Sequence, residues 1–242
     1  MIRSPAVAGR FYPDDPERLR AAVDTFLAGG VEEKKIRARA CLVPHAGYVY
    51  SGQVAGEVYR GMEIPGRVIL VGPRHSPRGA ALAILSDGVW QTPLGMAPID
   101  RLLAEKIVRA FPLLREDSVA HSTEHSLEVQ LPFLQRLSPA FAFVPIVIGL
   151  AQWEPLEALG HALAGVIVAE AKPVLLIASS DMNHYESDAI TRVKDRKAIE
   201  QILALDARKL FDTVRDENIS MCGYAAAVAV VIAARELGAT QA

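Results

Sequence analysis

The stretch RVILVGPRH, Arg67 to His75, sets an apolar run, Val68–Val71, directly against a Gly-Pro turn and an imidazole. Consecutive apolar, mostly β-branched residues read as a strand buried on both faces, as in a parallel sheet covered by helices. Four further runs have this character: Ile36–Val43, Ala81–Leu85, Phe141–Ile148 and Val174–Ala178. Helical patterns alternate with them over Gly52–Arg60, Ile99–Ala110, Glu124–Leu137, Leu156–Val168, Ala189–Ala204 and Gly223–Leu237. Asp14-Asp15-Pro16 reads as a helix start, with Pro at the first helical position, and Gly29-Gly30 as its end. The alternation predicts an α/β fold, with a central, largely parallel or mixed sheet flanked by helices. No repeat, low-complexity tract or linker divides the chain, so residues 1–242 are expected to form one domain.

Composition narrows the function. At 242 residues and 51% hydrophobic content, the chain has ample material for a large core. A formal net charge of −2, with the longest charge cluster (Glu32-Glu33-Lys34-Lys35) mixed in sign, argues against a nucleic-acid partner. Two cysteines exclude a disulfide scaffold and point to a reducing compartment. The segment MIRSPAVAGRFYPDDP lacks the apolar centre of a signal peptide, and the longest apolar run, Ala225–Ala234, is too short to span a bilayer. The expectation is a cytoplasmic protein with no membrane partner.

Ligands of open α/β sheets collect beyond the carboxyl ends of the strands. ACLV leads into Pro44-His45-Ala46-Gly47, RVILV into Gly72-Pro73-Arg74-His75, and VLLIA into Ser179-Ser180-Asp181-Met182-Asn183-His184. Three strands thus feed three imidazoles into the same kind of position. Neutral imidazole is the commonest metal ligand, and His45 and His75 are candidate ligands from separate rigid elements. Each could instead be a loop residue bonded to a backbone carbonyl. Cys222 precedes the run AAAVAVVIAA at a helix N-terminus, where the dipole favours thiolate, a metal ligand and nucleophile. Its plainer reading is a small buried thiol at a turn, and Cys41, inside an apolar strand, reads as core. Asp181 and His184, three apart, suit a carboxylate-oriented acid/base pair, although Asp181 or Ser180 could merely cap the next turn.

His121-Ser-Thr-Glu-His125 matches the inverted zinc-protease motif H-x-x-E-H, which requires both histidines on one helix face. Ser122 and Thr123 read as cap residues that leave His121 outside the helix, and Pro132 interrupts the pattern, so the protease reading is set aside. Glu124 and His125, in the first turn of that helix, are expected to face a substrate; Glu124 and Glu128 would also complement the helix dipole. Arg74 and Arg78 could hold an anionic group, but no G-x-G-x-x-G or Walker A pattern points to a nucleotide. Tyr48, in the loop Gly47–Gly52, could wall a pocket or pack on the sheet.

Together, PAVAGRFYP, VPHAGYVYSG, VGPRHSP, TPLG, EHSLEVQLPFL, ASSDMNHY and ISMCGY resemble the Memo family, whose prokaryotic members are called AmmeMemoRadiSam system protein B. The motifs run in family order over nearly the whole chain. The resemblance implies a fold similar to class III extradiol dioxygenases, in which two histidines and a glutamate hold non-haem iron(II) and another histidine is the acid/base. Carried over, it makes His45 and His75 metal ligands, His184 the acid/base and Asp181 a member of the same site. Cys222 stands where those enzymes have glutamate. A thiolate softens the site, so copper or zinc join Fe(II) as candidate metals, and ring cleavage does not follow automatically. The resemblance also implies AMMECR-type and radical-SAM protein partners. The chain ends soon after its last helix, where family members usually continue into a further strand; either the chain is trimmed or that strand is absent, and its loss would leave a sheet edge open. The leading expectation is a mononuclear metalloprotein with redox or dioxygenase-like chemistry on a small molecule or peptide. Its competitors are a non-catalytic peptide- or protein-binding module and a zinc-dependent hydrolase.

Overall fold

The main sheet of the computed structural model, which describes residues 1–29 and 34–242, has six strands among those residues. Their spatial order is β2 (Ala40–Val43), β9 (Leu175–Ser179), β3 (Arg67–Pro73), β8 (Ala142–Ile148), β4 (Leu82–Ile84) and β7 (Arg115–Glu116). The first four are mutually parallel, while β4 runs antiparallel to β8. The strand that ends at Ser179 therefore lies between those that lead to His45 and His75. Three chain segments distant in sequence leave the sheet side by side, at the same edge.

The strands alternate between two apolar layers, as a period of two requires. Ile69, Val71, Val144, Ile146 and Leu176 face one layer, with α3 (Arg101–Ala110), α6 (Trp153–Val168), α8 (Ala207–Asp216) and α9 (Tyr224–Glu236). Val68, Leu70, Phe143, Leu175 and Ile177 face the other, with α1 (Pro16–Leu27), α2 (Tyr48–Arg60) and α5 (Leu131–Leu137). Along α7 (Asp188–Leu203) only Ala198 is buried, so this helix lies at the periphery. Residues Ala225 to Ala234 of α9 are all buried, which explains a helix that is apolar all round. A Cβ on Gly223 would lie 2.4 Å from the Ser179 carbonyl, so glycine there lets the start of α9 press against the end of β9. That contact brings Cys222 to the strand ends.

The sequence expectations hold for the parallel core and need correction at several edges. The Ile36–Val43 run is a strand only from Ala40, and Ile36 makes an isolated bridge to Met62. Helix α1 begins where Pro16 predicts, capped by the Asp15 carboxylate, and ends at Ala28. Gly30, Glu32 and Glu33, from the expected helix end and charge cluster, lie outside the described residues. A second sheet of three strands, β1 (Ile2–Arg3), β5 (Val89–Thr92) and β6 (Gly95–Pro98), and helix α8 have no counterpart in the sequence reading. Strand β2 has a strand partner on one side only among the described residues, which makes it an edge strand of this sheet.

The predicted helix over Glu124–Leu137 is regular only from Leu131, after a 3-10 turn at Glu128–Gln130. The physical reason is a buried competitor. Arg3 Nη2 donates to the Glu124 carbonyl at 2.7 Å, an acceptor that a helix would use for itself. His121, instead of preceding a helix, lies inside α4 (Ser118–Ser122), which Asp117 caps; Thr123 closes that helix rather than opening the next. His121 and His125 do not share a helix face, so the zinc-protease geometry is absent.

Arg3 is itself a structural pivot. Its guanidinium lies 3.9 Å over the Trp90 ring, donates to the His121 carbonyl and pairs with Glu128 at 2.7 Å. Glu128, fully buried, also accepts from the Ala6 and Val7 amides and from Tyr12 Oη. It is thus an anchor for the N-terminal arm and not a surface charge complementing a helix dipole. Removing one partner of a buried, hydrogen-bonded ion pair leaves the other uncompensated. Arg3→Ala is predicted to cost about 3–5 kcal/mol in chemical denaturation; a loss below about 1 kcal/mol, the level of an exposed pair, contradicts this assignment.

Candidate metal centre

His45 leaves β2 through Pro44 and is almost completely buried. Its amide and that of Ala46 both donate to Asp181 Oδ1, at 2.6 and 3.1 Å. One carboxylate oxygen therefore pins the exit of β2 to the exit of β9. The His45 ring Nδ1 lies 3.0 Å from Ser179 Oγ. That hydroxyl spends its proton on the Ser126 carbonyl at 2.6 Å, so towards His45 it accepts. The imidazole consequently carries its proton on Nδ1, and Nε2 presents a lone pair. Cys222 Sγ lies 3.2 Å from that Nε2.

His184 is set by the same logic. Its Nδ1 lies 2.8 Å from the Ser220 carbonyl, which can only accept, and its Nε2 faces Asp181 Oδ2 at 3.9 Å. Asp181 Oδ2 also lies 3.8 Å from His45 Nε2. The carboxylate thus holds backbone with one oxygen and addresses two imidazoles with the other. The Asp181 amide donates to Cys222 Sγ at 3.4 Å, stabilising charge on sulfur.

His75 completes the centre from β3. One potential ligand atom from each of His45, His75 and Cys222 falls within 4.8 Å of the others; Asp181, His184 and Cys222 meet the same limit, as do His75, Glu124 and His125. The rings of His75 and His125 stack with centroids 4.3 Å apart, and His125 lies edge-on to His45 at 5.5 Å. Phe11 packs on His125 from the N-terminal arm at 4.6 Å. No side-chain hydrogen bond engages His125 among the described residues, although its Nδ1 lies 3.7 Å from Glu124 Oε1.

The structure brings together His45, His75, Glu124, His125, Asp181, His184 and Cys222. It does not bring Tyr48 or Arg74 to them as substrate contacts. Helix α2 starts at Tyr48 rather than Gly52, which turns that ring inward against Tyr12, Phe26 and Phe133, with Oη donating to the Val129 carbonyl. Arg74 folds back over Gly149, and its Nη1 donates to the Gly79 carbonyl, bracing its own loop. Glu124 is buried, with both oxygens occupied by His75 and Ser126, so it has no free oxygen for a substrate. Cys41 packs against the core, and burial pushes its thiol up to about 12, consistent with an inert role. Supporting residues that the sequence reading missed are Ser179, Ser220, Ser126 and Gln130. Gln130 Nε2 donates to Pro44 O and Ser179 Oγ while its Oε1 accepts from Tyr59. Only the Ser179-Ser180-Asp181 run hinted at this layer, and it read as a cap.

Electrostatics divide the two principal imidazoles. Burial, aided by His75 and His125, lowers His45 to about 4. It is neutral and ready to donate a lone pair at physiological pH. Burial also opposes a charge on His75, but the hydrogen bonds and negative charges of Cys222 and Glu124 outweigh it, pushing His75 up to about 10. Burial disfavours the charged form of Glu124 too, yet its bonds to His75 and the Ser126 amide hold it down at about 2. Two imidazoles, a thiol and a nearby carboxylate suit iron(II), copper or zinc by donor chemistry.

A helix-covered parallel sheet whose adjacent strand ends gather such a donor set defines an α/β protein with a candidate metal centre. The chain belongs to the Memo-like protein family, whose profile matches residues 3–242. It is 43% identical to a MEMO1 family protein of Aquifex aeolicus over 99% of this chain and 89% of that one. It is 37% identical to MEMO1 family protein MTH_45 of Methanothermobacter thermautotrophicus over 100% of this chain and 91% of the relative. For MEMO1 family protein MK0963 of Methanopyrus kandleri the figures are 38% identity, 100% and 89%. No helix among the described residues is long and apolar enough to cross a membrane.

Because His75 holds its proton up to about 10, a metal must displace that proton at neutral pH. Apparent affinity for zinc(II) is predicted to rise about tenfold per pH unit from this group alone as pH increases between 6.5 and 8.5. Competition with a chelator across that range checks it; affinity independent of pH contradicts the assignment of His75 as a proton-gated ligand.

Proposed function

We propose that the chain is a mononuclear metalloprotein, with His45, His75 and Cys222 as the protein ligands of iron(II), or of copper. The observation that carries this reading is the convergence of those three side chains from β2, β3 and the start of α9, within 4.8 Å of one another. Three protein ligands leave positions open, and such a metal when bound supplies redox or oxygen-dependent chemistry there. The substrate is a small molecule or peptide, and the reaction class is dioxygenase-like oxidation.

The chain's own residues fit that role. His184 presents Nε2 at the centre while Ser220 fixes its other nitrogen, so it can take or return a proton without rotating. Asp181 Oδ2 orients it and stabilises the charged ring. His125, whose ring makes no side-chain hydrogen bond among the described residues and stacks on His75, is the substrate-side polar group. The buried apolar sheet beneath keeps water from these groups on one side.

A second reading, a peptide- or protein-binding module on the same pocket, is favoured by exposed apolar groups in the first turn of α2, just after His45, and on the loop that carries His184. Val49 and Tyr50 are 84% and 83% exposed, and Tyr185 is fully exposed at φ 64°, a left-handed conformation that non-glycine residues seldom adopt. Partner binding that survives chelation would favour this reading over the catalytic one. AMMECR-type and radical-SAM proteins are the partners to try first.

Metal content by mass spectrometry, on protein purified without oxygen, tests the main proposal. About one equivalent of iron or copper is expected in the wild type, lost in His45→Ala and Cys222→Ala but kept in His184→Ala. His184→Ala should retain metal while losing oxygen consumption by about 10²–10⁴-fold, the scale of a general acid/base. Metal-free wild-type protein after anaerobic reconstitution, or a His184→Ala variant as active as wild type, overturns the assignment.

A further inference from the structure

Glu124 does more than fill space behind the centre. Its side chain is fully buried and makes three bonds, all as acceptor. Oε2 takes the His75 amide at 2.6 Å; Oε1 takes the Ser126 amide at 2.8 Å and lies 2.8 Å from His75 Nδ1. The same residue therefore grips the backbone and the ring of His75. Its own backbone is fixed in turn, because Arg3 Nη2 donates to the Glu124 carbonyl and Arg3 is locked between Glu128 and Trp90.

We infer that Glu124 is a positioning residue that decides which nitrogen of His75 reaches the metal. A carboxylate can only accept, so Nδ1 must carry the proton, and Nε2 is left as the nitrogen that meets Cys222 and His45. His45 and His184 obtain the same outcome from a serine hydroxyl and a backbone carbonyl, and His75 alone of these three has a carboxylate at Nδ1. This is the carboxylate–histidine arrangement that orients metal-bound imidazoles and raises their basicity. The inference deepens the metal-binding reading and rests on it for its effect on affinity, whereas the ring geometry stands without a metal.

The arrangement has a sharp chemical signature. In Glu124→Gln the amide has nearly the same shape, but one of its ends becomes a donor. If the NH₂ replaces Oε1, it faces Nδ1 and the Ser126 amide, and the ring must move its proton to Nε2, where it blocks the ligand lone pair. If the NH₂ replaces Oε2, it opposes the His75 amide instead. Either placement sets donor against donor in a buried site, and neither changes the residues that touch the metal.

Zinc(II) is the probe, since it is diamagnetic and permits ring nitrogens to be read by long-range ¹H–¹⁵N correlation. In zinc-loaded wild type, His75 is expected to bind through Nε2 with a proton on Nδ1. Glu124→Gln is expected to weaken zinc binding by about 10–100-fold, as loss of such partners does, and to lose the Nδ1 proton signal or shift it upfield, since a neutral amide oxygen accepts more weakly than a carboxylate. Glu124→Asp, which keeps the carboxylate, should recover part of both. Wild-type His75 bound through Nδ1, or Glu124→Gln within twofold of wild type with an unchanged His75 spectrum, overturns the inference. The wild-type spectrum decides the case even if the variants fail to fold. If wild type binds no zinc, the metal reading fails on its own, and the metal-free spectra judge Glu124. A downfield Nδ1 proton on His75, present in wild type and lost or shifted upfield in Glu124→Gln, supports the positioning role; its absence from wild type overturns it.

Discussion

Asp181 joins two strand ends, and the centre depends on that bond. Its Oδ1 accepts the amides of His45 and Ala46 as the chain leaves β2, while its own backbone continues β9. Because β9 lies between β2 and β3, fixing its exit fixes the middle of the site. The amide of Asp181 then reaches Cys222, and its Oδ2 reaches His45 and His184. Parallel strands are what make this compact. Their carboxyl ends emerge at one edge, about 4.8 Å apart laterally, so residues separated by more than a hundred positions meet without long loops.

Around this bond lies a buried polar frame. Ser179, Gln130, Ser126, Glu124, Arg3 and Glu128 are all nearly inaccessible. Such groups are tolerable inside a protein only when their hydrogen bonds are made, and a satisfied network gives rigidity in return. Here Ser179 bonds to the His45 ring and Glu124 to the His75 ring, while Arg3 and Glu128 tie the N-terminal arm to Glu124. The N-terminal arm takes part through Arg3, which reaches Glu124, and Phe11, which packs on His125. That placement gives a physical reason for a short arm to carry both a buried arginine and an aromatic ring.

The parallel core was legible in the sequence because runs such as Val68–Val71 and Phe141–Ile148 are apolar at consecutive positions, a pattern of strands covered on both faces. The convergence of His45, His75, His184 and Cys222 was legible for the same reason: each follows a strand or precedes a helix at the sheet's carboxyl edge. Strand order was not, since nothing local to VLLIA places it between the other two. The position of Tyr48 escaped because α2 begins right after Gly47 without a side-chain cap, and an uncapped start leaves little local trace. Glu124 was misread because a carboxylate before a histidine resembles a helix's first turn. Only Arg3, 121 residues away, shows that the helix cannot start there. The hairpin β5–β6 and helix α8 escaped because short or peripheral elements are decided by what they pack against.

X-ray absorption at the zinc edge, on protein loaded with one equivalent of zinc(II) without oxygen, tests the central claim most directly. It reports the atoms bound to the ion irrespective of any activity. With His45, His75 and Cys222 as ligands, the first shell contains one sulfur at about 2.3 Å and light atoms at about 2.0–2.1 Å, two of them imidazole nitrogens. A shell of nitrogen and oxygen alone would contradict the account, because the thiol at the start of α9 would then stand beside the ion without holding it.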